Sequence, residues 1–210
     1  LIRVKGKNKP VAIYEAIDHY GEEDSARRWD CFAAFDRGLQ RYRQMRFKDA
    51  LPEFEKAFFG FDPEKLSLMS DEQLEKQMQN DKIIRHWGKI KAIRTNALMT
   101  YDLGLKHGSF ARFLADWSSS DIIGLWAYLK KNGQQLGGNS GASFLRMVGK
   151  DTFILTDDVV AALKAQGIVE KRPTAKRDLQ KVQDCFNLWQ EESGRPLSQI
   201  SRLLSFTVGW

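Results

Sequence analysis

The sequence predicts an all-α protein headed by a short N-terminal β-hairpin, and three observations carry that prediction. Helix-start signals recur along the chain, at Asp62-Pro63-Glu64, Ser70-Asp71-Glu72, Ser109, Ser120-Asp121, Thr156 and Thr174. Each offers a side-chain oxygen to the unpaired first amides of a helix. Apolar residues fall three and four apart between these signals. The β-prone run Val11 to Tyr14 follows a basic turn at Lys5 to Pro10, so residues 1–17 read as the hairpin.

Taken in order, the elements after the hairpin are helical. The segment 30–58 places Phe35, Leu39, Tyr42 and Phe47 at helical intervals, then Ala50, Leu51, Phe54 and Ala57. Gly38 with Ala50, Phe54 and Ala57 matches the spacing of one tetratricopeptide-like helix pair. A single such unit cannot bury its own face and no second copy follows, so it reads as a helical hairpin docked on other structure. An element at 81–105 lines up Ile83, Trp87, Ile90, Ile93, Ala97 and Tyr101, with Arg85, Lys89, Lys91 and Arg94 on other faces. A helix at about 120–132 carries Ile122, Ile123, Leu125, Trp126 and Leu129. A following one holds Phe144, Leu145 and Val148, and the helix after Thr174 buries Leu179, Val182, Phe186 and Trp189.

A chain of 210 residues is long enough to bury a real core, as one medium domain or a large domain with a small attachment. No apolar run approaches the ~20 residues of a membrane helix. The N-terminus LIRVKGKNKP has no hydrophobic signal core, so a cytoplasmic protein is expected. A net charge of +6 and a pI near 9.3 favour an anionic partner, though so modest a balance also occurs in proteins that bind nothing acidic. Cys31 and Cys185 stand far apart in no metal-like spacing, so buried thiols are expected rather than a disulfide. His19, His86 and His107 are scattered, and neither a metal nor a cofactor is expected.

The most informative stretch is QLGGNSGASFLRMVGK, residues 135–150. Gly137, Gly138 and Gly141 flank Asn139 and Ser140 just where an apolar helix begins. Small residues let the first amides of that helix point outward unobstructed, where the helix dipole favours a phosphate. Such a cradle grips backbone without reading sequence. The same glycines also suit a plain turn between antiparallel helices, and the loop alone leaves both readings open.

Residues 136–145 with Gly149 to Val159 resemble the helix–hairpin–helix region of DNA glycosylases. More closely, PEFEKAFFGFDPEKL, KIIRHWGKIKAIRTNA, GSFARFLADW, LGGNSGASFLRMVGKDTFILTDDVVAAL and SGRPLSQISRLLSFTVG, in that order, are similar to the DNA-3-methyladenine glycosylase I family. The resemblance covers about residues 52–210. It implies a helix–hairpin–helix glycosylase-like helical domain over 51–210. The implied activity is monofunctional: a base-excision-repair enzyme that flips an alkylated adenine from duplex DNA and cuts its N-glycosidic bond, acting as a monomer at the nucleoid.

The same resemblance assigns phosphate contacts to Gly138, Asn139, Ser140 and Gly141, with Arg146 and Lys150 as charge partners and Arg85 and Lys89 of RHWGK as further DNA contacts. Glycosylases with lyase activity carry a Schiff-base lysine just after the hairpin; Ala142 stands there, so a lyase step is not expected. Where many relatives place an aspartate that stabilises the oxocarbenium ion, this chain has Thr156, which reads as a helix cap. Asp157 and Asp158 then read as negative charge at the helix start. An adenine alkylated at N3 is already cationic and leaves readily, so little acid–base help is needed. His86 reads as a local hydrogen-bonding group, not a catalyst.

The base pocket is where the chain departs from the family. Counted back from Phe54, the stacking tryptophan is replaced by Gln44, and the carboxylate position holds Asp36. Asp36 is the candidate catalytic-site carboxylate, with an exposed, solvated helix residue beside Arg37 as the competing description. Trp29 and Tyr42 stand as stacking residues or as core. The opening RVKGKNKPVAIYEAI is similar to the end of class III adenylate or guanylate cyclases, and FDRGLQRYRQMRFKDALPEFEKA to the tetratricopeptide-like stretch that follows them. Residues 1–50 therefore read as a separate, fused segment, and the leucine start as that of a fragment or chimera. The cyclase core is missing, so nucleotide cyclisation is not expected. A helical DNA-binding module whose pocket is lost remains the alternative to an active glycosylase.

Overall fold

The computed structural model describes residues 47–208 except 82 and 84, with side chains from residue 51 onward; the expected β-hairpin over 1–17 lies outside the described residues. The chain divides into two compact units, Leu1–Leu51 and Pro52–Trp210, and the second holds both hydrophobic cores. Among the described residues every regular element is helical. No helix among them is long and apolar enough to cross a membrane.

Helix α1 (Phe47–Ala57) leads into a tight reversal at Phe59–Phe61, where all three residues take positive φ (52°, 64° and 61°). Next come α2 (Pro63–Ser67) and α3 (Asp71–Gln77). Asp62 caps α2 by accepting from the amides of Glu64 (3.0 Å) and Lys65 (3.2 Å), with Pro63 in its first turn. Ser70 and Gln73 form a reciprocal capping box on α3. These are the start signals that the sequence carries at those positions.

The long helix α4 runs from Trp87 to His107. It begins six residues later than the periodicity implies, because His86 is its N-cap: Nδ1 accepts from the Lys89 amide at 3.3 Å. Ile83 is buried all the same, ahead of the helix, whereas Trp87 at the first turn is 36% exposed instead of core. The N-terminal half of α4 supplies Ile90 and Ala97 to a small core with Phe58, Leu66, Met69, Leu74 and Ile83. Its C-terminal half gives Met99 and Leu103 to the main core.

That main core is built from α5 (Phe110–Asp116), α6 (Ile122–Asn132), α7 (Asn139–Met147), α8 (Asp157–Ala165), α9 (Lys176–Ser193) and α10 (Leu197–Leu204). Ser109, Asp121 and Thr156 cap α5, α6 and α8 as their sequence signals imply. Helix α9 departs from the reading: Ala175, not Thr174, is its N-cap, and no side chain bonds its first amides. Leu145, Val182 and Phe186 are buried as expected, but Val148 lies beyond the end of α7 and is 52% exposed. Between α7 and α8 the extended stretch Asp151–Leu155 is driven into the core. Phe153 stacks on Phe186 with centroids 4.2 Å apart and meets Trp126 edge-on at 4.8 Å.

Candidate nucleic-acid interface

Helix α6 ends at Gly133, whose amide bonds the Leu129 carbonyl at 2.9 Å. The chain then turns through Gln135 (φ 60°) to Gly138, which takes φ 56° and ψ −139° as the N-cap of α7. Only glycine adopts that conformation without strain. Gly141 has a different reason. A Cβ there would sit 2.6 Å from the carbonyl oxygen of Leu136, so the first turn of α7 closes on the loop only with hydrogen in that place. No side chain caps α7, and Gly137 to Ser140 are exposed. The amides of Gly138 and Asn139, at the positive end of the helix, are open to an acceptor from outside, whereas Gly141 is buried and the Ser140 amide turns back on the loop.

The surroundings hold this hairpin in place. Asn96 of α4 pairs with Gln134 as a strand neighbour would, Nδ2 donating to its carbonyl (3.1 Å) and Oδ1 accepting from its amide (2.8 Å). Asn139 Nδ2 donates to the Leu155 carbonyl at 2.9 Å, tying the start of α7 to the segment before α8. The buried Gln183 of α9 accepts from the Ile123 amide at 3.2 Å and donates to the Ser119 carbonyl at 3.3 Å, seating the start of α6. Neither Asn96 nor Gln183 stands out in the sequence. Gln183 is a buried polar residue on an apolar helix face, which is the signal that marks an amide holding a neighbouring backbone, and Asn96 does the same from a half-buried position.

The eight candidate DNA contacts divide into three groups. Gly138, Asn139, Ser140 and Gly141 come together at the hairpin; the Asn139 side chain is committed to Leu155, and the Ser140 amide to the Gly137 carbonyl at 3.2 Å. Arg146 and Lys150 sit at the other end of α7 and face inward. Arg146 Nη2 donates to the carbonyls of Thr152 (2.7 Å) and Ser198 (3.4 Å). Burial holds its guanidinium below the usual arginine range, with Asp151 opposing and Arg202 adding to the effect. Lys150 Nζ donates to the carbonyls of Ala115 (3.1 Å) and Trp117, closing the C-terminal end of α5. Burial lowers its pKa too, against the pull of Asp151 and Asp116. Both cations therefore fasten the hairpin to its support.

Arg85 and Lys89 form the third group, exposed on either side of the α4 cap. Between them in the motif, Gly88 approaches the hairpin: a Cβ there would lie 4.0 Å from Gln135 Nε2. Sequence motifs about fifty positions apart thus meet at one surface. Asp36, Trp29 and Tyr42 lie outside the described residues, as does the base pocket expected around them. Ala142, at the position of a lyase lysine, is fully buried. Thr156 Oγ1 accepts from the Val159 amide at 3.3 Å, and Asp157 pairs with Arg172, so this corner is a helix start. A hollow of about 410 Å³ lined by Phe110, Leu114, Val148 and Lys150 adjoins the far end of α7 from Gly138. At 1.5 Å per residue that is about 13 Å along the helix. Among the described residues no cluster of histidine, cysteine and carboxylate side chains is arranged to hold a metal ion.

Comparison with known proteins bears on the same residues. The family model described as methyladenine glycosylase matches residues 31–174. The match takes in RHWGK and the whole hairpin, and it begins inside the segment 1–50 whose sequence also resembles a cyclase tail. No curated protein matches the chain. Among solved structures, a crystal structure of 3-methyladenine DNA glycosylase I is similar at 29% identity, over 48% of this chain and 65% of that one, with a TM-score of 0.40. The matched part of the chain thus spans 65% of the length of that solved protein.

Proposed function

The chain belongs to the methyladenine glycosylase family, and we propose that it is a monofunctional DNA N-glycosylase of base excision repair, removing 3-methyladenine from duplex DNA. The observation that carries the reading is the family match across residues 31–174, which includes an uncapped, exposed helix start behind Gly138. Extruding a nucleotide costs a few kcal/mol of stacking, which contacts to the backbone must offset. The amides of Gly138 and Asn139, with the positive end of α7 behind them, take a phosphate of the damaged strand, and Arg85 and Lys89 reach a neighbouring stretch of the same backbone.

The chemistry asks little of the protein. A 3-methyladenine base carries positive charge; when the C1′–N9 bond breaks, the bonding pair goes to the purine and neutralises it. Water adds its oxygen to C1′ and gives up a proton to solvent. Ala142 offers no amine to the sugar, so the strand is left uncut at the abasic site. Asp36 is the carboxylate proposed to face the cationic base. The enzyme acts as a monomer, in the compartment that holds the DNA.

Release of free 3-methyladenine from alkylated duplex DNA tests the reading, with Gly138→Asp as the variant whose carboxylate repels phosphate. Release by the parent and loss in a folded Gly138→Asp protein support it. A parent that binds the duplex and releases no base refutes the catalytic claim and leaves a DNA-binding module.

A further inference from the structure

We propose that Lys130, at the end of α6, is the cation that the hairpin presents to the DNA phosphate, in the place that sequence reasoning gave to Arg146 and Lys150. The inference rests on the reading of the hairpin as a phosphate clamp and adds a residue that the family motifs do not mark.

The last turn of α6 contains Lys130 and Lys131, both exposed. Their common purpose is to complement the negative end of the helix, but their positions differ. The stem of Lys130 lies along Gly137: a Cβ there would be 3.6 Å from its Cγ, 3.8 Å from Cδ and 4.0 Å from Cε. Those distances keep the stem in contact with Gly137 as far as Cε, and the space over Gly138 is empty, so the exposed ammonium has room to meet an anion seated there. Among the described residues the ion pairs are Lys65–Asp62, Arg94–Asp71, Arg112–Asp116 and Arg172–Asp157, so no carboxylate holds Lys130.

A phosphate at the start of α7 therefore meets the backbone amides from one side and the Lys130 ammonium from the other. Arg146 and Lys150 cannot take that part, because they lie at the far end of α7, where Arg146 Nη2 and Lys150 Nζ go to the carbonyls of Thr152, Ser198, Ala115 and Trp117. The flexible lysine stem suits a point charge on one phosphate oxygen, not a planar fork fixed on two.

The experiment measures affinity of the full chain for a short undamaged duplex as a function of salt, for the parent, Lys130→Gln and Lys130→Arg. One lost phosphate contact flattens the slope of log K against log salt by about 0.9, and the loss of affinity shrinks as salt rises. Lys130→Gln is expected to show that change with unaltered melting temperature, and Lys130→Arg to restore the slope. An unchanged slope in Lys130→Gln, with Gly138→Asp still abolishing binding, overturns the assignment and leaves the clamp standing. A parent that does not bind duplex DNA overturns both.

Discussion

Gly141→Ala offers a sharp test of the hairpin, because two effects of opposite sign compete at that position. Gly141 lies in the first turn of α7, and alanine is the better helix former by about 0.8–1.0 kcal/mol. On propensity alone the variant gains stability. The structure places the new Cβ 2.6 Å from the Leu136 carbonyl oxygen, closer than any ordinary contact, and the obstacle is backbone. Leu136 cannot yield without opening the loop that Asn96 and Gly133 hold. Overpacking costs about 1–3 kcal/mol, and a 2.6 Å approach to backbone belongs in the upper part of that range, about 2–3 kcal/mol, so the net effect is a loss of roughly 1–2 kcal/mol. For a domain of this size each kcal/mol moves the melting temperature by about 2–4 °C, and the expected fall is about 2–8 °C. Gly137→Ala is the matched control: its Cβ would meet Lys130 Cγ at an ordinary 3.6 Å. It should stay within about 0.5 kcal/mol of the parent. Thermal unfolding followed by circular dichroism reads both, and duplex affinity should fall for Gly141→Ala only. A Gly141→Ala protein that melts at or above the parent temperature refutes the close-approach argument.

Two further predictions concern the supports around the hairpin. Asp151 accepts from the amides of Leu197 and Ser198, both at 2.8 Å, and so caps α10 from a distant part of the chain; Asp151→Ala should cost about 1–2 kcal/mol, read as a lower urea midpoint at unchanged slope. A midpoint equal to that of the parent would count against the cap. Cys185 is half-buried, and burial together with Glu192 pushes its thiol up to about 11. The folded state thus favours the protonated thiol, and in a Cys31→Ser background its labelling rate should keep rising about tenfold per pH unit beyond pH 9. A plateau near pH 9 would show an unperturbed thiol.

Much of the helical layout was legible in the sequence, and the reason is that helix starts are local events. Asp62, Ser70, Ser109, Asp121 and Thr156 each cap a helix by reaching an amide two or three residues away. The misjudged starts have no such local signature. Ala175 begins α9 with no side-chain cap at all, and at α4 the cap is a histidine accepting through a ring nitrogen. Trp87 and Val148 fit the apolar period but stand at helix ends that project past the core. Periodicity identifies a face and not how far the neighbouring elements extend along it.

The candidate site divides on the same line. Glycine requirements are set by backbone geometry over a few residues, so Gly138 and Gly141 could be singled out from the string LGGNSG alone, and the family resemblance is carried by motifs of that length. Which cations are free to serve the hairpin was decided by tertiary structure. Arg146 and Lys150 are as basic as Lys130 in the sequence, but the folded chain surrounds the first two with carbonyls and lays the third along Gly137. Asn96 and Gly88 approach the loop only because α4 crosses it, from positions about forty residues earlier in the chain. The sequence by itself determined most of the helices, the glycines at the start of α7 and the family. Tertiary structure decided where the charge goes, because a charged side chain has no function until packing settles whether carbonyl groups or solvent surround it.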